Sequence, residues 1–293
     1  MEQRTVIGLG ICTLLIASGF AVNGNIGLYF NIAALFIVLG GTFGAAFLSF
    51  RTERLSIVFR VLLASYRTRM KAPEEIVEIL VDLSVKSRLK GILSLQEDEN
   101  ETSVIFMRRA LGFLVDGYTK AQIKEILNTE MYFFKLRREK SERVLRTLAE
   151  TCPSFGLVGS VVGLIGMLAS VGDVSLILAT IPIALTSTLY GVVFANLFFL
   201  PFAAHMRERT DSELLLQKII LDGVIAIESE LNPRVLEMTL KAFLTPSSRE
   251  GRIISAKRIQ ERFKIKPEVI NSGLMGSRIP QAGCHQDPYR QAA

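Results

Sequence analysis

The chain has 293 residues, of which 49% are hydrophobic and 21% charged, with a net charge of +6 and a mean hydropathy of +0.37. A soluble domain of this size carries about 25% charge and a negative hydropathy. That balance, with only three scattered cysteines, excludes an ordinary soluble globule, a disordered chain and a secreted disulfide scaffold. Charge is absent from Thr5 to Phe50, and between Thr151 and Met206 Asp173 stands alone. The 34 Lys and Arg fall elsewhere, 19 of them between Arg51 and Arg146 and 14 from Arg207 onward. The pattern is that of an integral membrane protein with large basic soluble parts. The basic charge fits cytoplasmic segments beside anionic lipid. No zinc spacing, RNA-binding motif or basic-aromatic stripe points to nucleic acid.

A transmembrane helix needs about 20 mostly apolar residues. The first uncharged block is long enough for two, divided by the polar Asn23-Gly24-Asn25. Spans are expected at about 5–22 and 28–50, making residues 1–50 one hairpin. A cleavable signal peptide is the alternative for Thr5–Val22. Its charged flank is a single Arg and no clean cleavage site follows, which favours a retained helix. The second block breaks at Gly172-Asp173, giving spans at about 153–171 and 176–204 within a hairpin at 151–206. Neither short break carries Lys or Arg, so both termini and the 51–150 loop are expected in the cytoplasm.

The 51–150 loop has helical spacing. Glu74–Val85 reads EEIVEILVDLSV, with Ile76, Leu80 and Leu83 on one face and Pro73 suited to the helix start. Further helical stretches are expected near Ser103–Leu114 and Lys120–Leu127. The charged run Phe133–Leu148 reads as a cytoplasmic extension of the third span, largely a solvated face. After the fourth span a helical extension covers 207–245, with Glu213–Ile227 helical up to Asn232-Pro233. Residues 246–293 form a basic tail, read as disordered over 268–293. The expected fold class is therefore an all-α integral membrane protein: four transmembrane helices in two hairpins, a large helical cytoplasmic loop, and a C-terminal helix and tail.

Gly156, Gly159, Gly163 and Gly166 step by 3, 4 and 3 along one face of the third span. Small residues at that spacing let helix backbones approach closely. Pro153 and Ser160 border the face, and the second span repeats the theme with Gly40, Gly41 and Gly44. The fourth span holds Thr186, Ser187 and Thr188 near its middle, between Pro182 and Pro201. Membrane hydroxyls usually bond within their own turn or to a neighbour. The alternative is a polar patch in a hydrated path, since hydroxyls and carbonyls freed by proline are ligands that hard cations use. No ionisable residue lies deep within any span, although ion coupling normally needs one. If this chain moves ions, a partner must bring the carboxylate. The loop offers no phosphate loop, HExxH or GxSxG, and the two histidines equip it poorly for acid-base work, so it reads as a non-enzyme without cofactor.

Four strings carry a resemblance: VLGGTFGA (Val38–Ala45), KSRLKGILSLQED (Lys86–Asp98), PSFGLVGSVVGLIGML (Pro153–Leu168) and IALTSTLYGVVFANLFFLPFA (Ile183–Ala203). In this order, over roughly 5–245, the chain resembles the flagellar motor stator A subunit (MotA/PomA type) of the MotA/TolQ/ExbB ion-channel family. TolQ/ExbB relatives share the glycine-rich third span but typically have three spans and lack the LYG…AN pattern. The resemblance implies a bacterial inner-membrane protein. It implies a ring of five A subunits around two B subunits, each B subunit bringing a membrane Asp and a peptidoglycan-binding domain. Ion flow past that Asp would step the ring and drive the rotor's switch-complex protein.

The resemblance also implies site residues. Pro153 and Pro201 match the prolines tied to torque. Ser187 and Thr188 match the fourth span's paired threonines. Ser160 matches a position that is commonly Thr in sodium-driven members and small and apolar in many proton-driven ones. The transported cation leans to sodium, held transiently at Ser160 and Thr188, with a proton as the alternative. Arg88 matches the loop's rotor-facing basic residue. The acidic partner expected eight residues on is Gln96 here, and Glu97 and Asp98 follow as substitutes. Pro182 replaces a usual small residue. A TolQ/ExbB-like force generator for envelope energisation or gliding is the alternative function, and a scaffold without ion coupling a third.

Overall fold

The computed structural model describes residues 29–67, 70–169, 172 and 174–246, with isolated positions between 8 and 19. Most of the expected first span, its Asn23-Gly24-Asn25 turn, Asp173 and the tail beyond 246 lie outside the described residues. Every regular element described is helical: α1 Ile32–Ser49, α2 Thr52–Arg67, α3 Pro73–Lys90, a 3-10 turn Ile92–Leu95, α4 Gln96–Glu101, α5 Ile105–Val115, α6 Lys120–Ala169, α7 Val174–Val193, a π turn Phe194–Phe199, α8 Leu200–Glu228 and α9 Pro233–Lys241. Three stretches among the described residues are long and apolar enough to cross a membrane: Ile32–Ser49, and parts of Lys120–Ala169 and Ile177–Glu228.

The chain divides into two compact units. The first comprises residues up to 70 with 130–214. Asn31 caps α1, its Oδ1 accepting from Ala34 N at 3.0 Å. Leu55, Val58 and Leu62, at steps of three and four on α2, are buried with Val144, Leu145 and Leu148 of α6 and with Ala203 and Met206 of α8. Each of these Leu, Val and Met side chains contributes about 1.5–3 kcal/mol of burial. Beside this core Arg209 is buried, its guanidinium donating to Ser65 O and, at 3.2 Å, to Glu213. Glu213 also takes Arg138 at 3.0 Å. Outward, Leu157, Val161, Leu164, Ile165 and Leu168 of α6 are exposed apolar residues, as lipid or a neighbouring helix requires.

The second unit comprises 71–129 with the residues from 215. Its core joins Ile76 and Leu80 of α3, Met107 and Leu111 of α5, Ile123 and Leu127, Ile219 and Ile220, and Leu236 and Leu240 of α9, all buried. α3 runs past the expected Val85 because Arg88 and Lys90 complement its C-terminal dipole. It stops at Gly91, whose φ of 82° suits glycine. The stretches expected separately at Lys120–Leu127 and Phe133–Leu148 are one helix with the third span. Nothing between them, Asn128 to Tyr132, breaks a helix. α8 ends in a Schellman turn: Leu231 N bonds Ala226 O at 2.9 Å and Glu230 N bonds Ile227 O at 3.0 Å. Glu230 takes the left-handed position, φ 51°, where glycine is usual.

Candidate functional site

The glycines of α6 lie against α7. A Cβ at Gly156 would stand 2.9 Å from Ser187 O, and one at Gly163 2.7 Å from Ala184 N. At Gly159 it would strike the Ser187 side chain, and at Gly166 it would meet Thr180 Cγ2 at 3.3 Å. Gly191 answers from α7: its Cβ would lie 2.9 Å from Cys152 O and 3.1 Å from Pro153 Cα. Only residues without a side chain there permit so close an approach. In α1 the close approach is at Gly41, where an added Cβ would strike the Phe155 ring, whereas among the described residues Gly40 and Gly44 meet nothing within 4 Å.

That approach gives the Ser160 hydroxyl three oxygen neighbours. Ser160 Oγ lies 2.6 Å from Ala184 O and 3.2 Å from Gly156 O, and it contacts Thr188 Oγ1. A serine has one proton. With it given to Ala184 O, the shorter of the two carbonyl contacts, Thr188 is the donor to Ser160. The result is a track, Thr188 to Ser160 to Ala184 O, with no ionisable group in it. Thr188 is exposed and Ser160 half-buried, so the track opens to one side. Ser187 points elsewhere: it is fully buried and donates back to Ile183 O at 2.7 Å. Thr186 likewise donates to Pro182 O at 2.6 Å. Of the fourth-span hydroxyls, Thr188 is thus the one joined to Ser160.

The two matched prolines interrupt their helices differently. Pro153 sits inside α6, where it cannot donate to Ala149 O. Pro201 follows the π turn, in which Leu200 N bonds Ala195 O, five residues back. Asn196 Nδ2 donates to Val192 O at 2.9 Å. Proline removes one rung and crowds the carbonyl four residues before it, and a widened turn with a side-chain donor accommodates both.

The loop residues stand in the second unit. Lys86, its side chain 7% exposed, pairs with Asp98 at 2.6 Å and with Glu97 at 3.5 Å. Glu97 is 85% exposed against 23% for Asp98, so Asp98 acts inward as the partner of a buried ammonium and Glu97 faces out. Arg88 is exposed and donates to Glu230 O at 2.8 Å, joining the end of α3 to the turn closing α8. Gln96 is exposed at the start of α4.

A glycine-faced helix packed on a neighbouring helix with a neutral oxygen track between them has close parallels. Residues 98–218 match the model of the MotA/TolQ/ExbB proton channel family. Protein YtxD of Bacillus subtilis is 33% identical, over 84% of this chain and 89% of its own length. Motility protein A of Borreliella burgdorferi is 31% identical, over 85% and 96% respectively. The chain belongs to the MotA/TolQ/ExbB proton channel family. A solved C. jejuni MotAB structure superposes with a TM-score of 0.79 at 25% identity, covering 87% of this chain and 99% of that one. This is a family of ion channels and stator subunits, not of enzymes.

Several residues of the site escaped the sequence. Thr180, Ala184 and Gly191 are three of them: with the expected Ser187 they form the partner face of α7, stepping by 4, 3 and 4 as the complement of the glycine stripe, and that mirrored spacing was the available signal. Tyr190 is the other. Its hydroxyl accepts from Asn31 N at 2.9 Å and donates to Tyr29 O at 2.5 Å. A lone tyrosine in a stretch whose other rings are all phenylalanine marks a hydroxyl with work to do.

Proposed function

We propose that this stator subunit of the flagellar motor forms a sodium path between its third and fourth spans and turns the flow into torque. Ser160 Oγ, Thr188 Oγ1 and Ala184 O supply neutral oxygens that replace part of an ion's water shell. The carboxylate comes from a partner B subunit anchored to peptidoglycan, its membrane Asp facing the track. The observation that carries this reading is the convergence of those oxygens in a span hairpin without a fixed charge. Five copies surround two B subunits in the bacterial inner membrane. Each copy has four spans in two hairpins, with both termini and the 51–150 loop in the cytoplasm. Gly40 and Gly44, unopposed among the described residues, pack against a neighbouring helix.

Pro153 and Pro201 shape the helix ends that transmit each step, and Ser187 holds the glycine face in register. Arg88 and Glu97 meet the rotor's switch-complex protein, with Asp98 holding Lys86 behind them and Gln96 an uncharged neighbour. Surface charges of this kind give fast, oriented contacts that release readily. The test is motor speed against sodium at fixed pH in wild type and Ser160→Ala. A sodium-dependent speed that Ser160→Ala weakens is expected. Speed indifferent to sodium in both would end the sodium reading.

A further inference from the structure

We propose that Tyr190 is a positioning residue for the cation path: its hydroxyl fastens the start of α1 to α7 and so fixes where the Ser160 and Thr188 oxygens stand. The proposal rests on the reading of those oxygens as lining the path.

A helix begins with N–H groups that no earlier turn can satisfy. α1 begins inside a block without charge, so no charged side chain near in sequence can meet them. Ala34 N is met by the Asn31 side chain at 3.0 Å, and Asn31 N by the Tyr190 hydroxyl at 2.9 Å. The same hydroxyl gives its own proton to Tyr29 O at 2.5 Å. One phenol therefore accepts from the capping residue and donates to the residue two before it, and α1 cannot slide along α7 without losing both bonds.

The place of that fastening matters. Tyr190 is two residues beyond Thr188, and two residues on a helix point about 200° apart. The hydroxyl thus holds the back of α7 while Thr188 reaches Ser160 from the front. On the same two turns Ser187 and Gly191 lie against Gly159 and Cys152 O of α6, and Phe155 of α6 lies against Gly41 of α1. α7 is held at this level by α6 on one side and through Tyr190 by α1 on the other. The ring itself packs on Phe194, centroids 6.3 Å apart and tilted by 58°. Phenylalanine would keep that packing and lose only the two hydrogen bonds.

Misplacing a functional group by about 1 Å can cost about a hundredfold in a working site, so the hydroxyl's loss should show in how the path takes its ion. The experiment uses the full chain with its B subunit in cells lacking their own stator. The reading is the speed increment as single stator units join a tethered motor, followed against external sodium at fixed pH and against pH without sodium. Only assembled units give increments, so the reading is independent of how much protein folds. For Tyr190→Phe the half-saturating concentration of the driving ion rises about three- to tenfold, with the increment at saturation kept within about twofold. A merely structural tyrosine would reduce the number of joining units and leave half-saturation unchanged, and that result overturns the proposal. Thr188→Ala is read alongside. If it shifts half-saturation and Tyr190→Phe does not, the positioning role falls and the path reading stands. If Thr188→Ala has wild-type ion dependence, the path reading falls and this proposal with it.

Discussion

A Cβ at Gly163 would lie 2.7 Å from Ala184 N and 2.9 Å from Ala184 Cα, atoms of a helix backbone that cannot turn aside. At Gly166 the nearest atom is a threonine methyl at 3.3 Å, which needs to give only a few tenths of an ångström. Overpacking costs about 1–3 kcal/mol, so Gly163→Ala should fall at the upper end and Gly166→Ala near or below the lower. Thermal unfolding of the purified stator in detergent checks the rank order. The same measurement reads Glu230→Gly. Glutamate in the left-handed position of the α8 turn is strained by about 1 kcal/mol relative to glycine, and the exchange should raise the unfolding temperature while keeping the Arg88 bond, which goes to the main chain. The glycine stripe was legible because a 3-4-3 spacing has one geometric meaning on a helix. Which atoms it faced was not, because the mirrored small residues of α7 include Thr, Ala and Ser, types that occur on any helix.

The ion pair between α3 and α4 separates two acids that the sequence could only place side by side. Asp98→Asn leaves Lys86 buried against a neutral amide and should cost roughly 1–3 kcal/mol, as loss of one partner of a largely buried pair does. Glu97→Gln should leave stability within about 0.5 kcal/mol, as an exposed group does, and its effect, if it meets the rotor, appears in torque. Reading unfolding and torque for both variants distinguishes them. Tyr66 of α2, stacked on His205 with centroids 4.4 Å apart, has its phenol pushed above the usual tyrosine value by burial. The unfolded phenol ionises first, at about pH 10. Its contribution to stability is therefore complete below that pH and declines as pH rises through it. Tyr66→Phe should remove that alkaline loss, seen by comparing unfolding temperatures at neutral and strongly alkaline pH. Span-like helices were readable from the absence of charge alone. α2 was not singled out, because it mixes four charged residues into its apolar turns, and within the expected helical extension at 207–245 the separate nine-residue α9 was not foreseen, because Asn232-Pro233 reads as a stop but serves as its cap and first turn.

At the scale of the whole molecule, the chain is proposed to contribute shape and neutral oxygens, with a partner subunit bringing the titratable group. One charge crossing 100 mV releases about 2.3 kcal/mol, which becomes work only if ions cannot pass without moving something. A lining of Ser160, Thr188 and Ala184 O carries no proton acceptor near neutral pH and no fixed charge to neutralise a desolvated cation, so alone it should be closed. The family, the helical class and the absence of enzyme chemistry were all legible in the order of four short strings. The identity of the ion was not, because hydroxyls serve a sodium ion and a proton-carrying water chain alike. The most direct measurement is cation flux into cells or vesicles holding this chain alone, and then with its B subunit, with sodium and protons followed separately. No flux above background from the chain alone, and flux once the B subunit is present that disappears when its membrane Asp is replaced by Asn, is the predicted result. A clear sodium or proton current through the chain alone would contradict it.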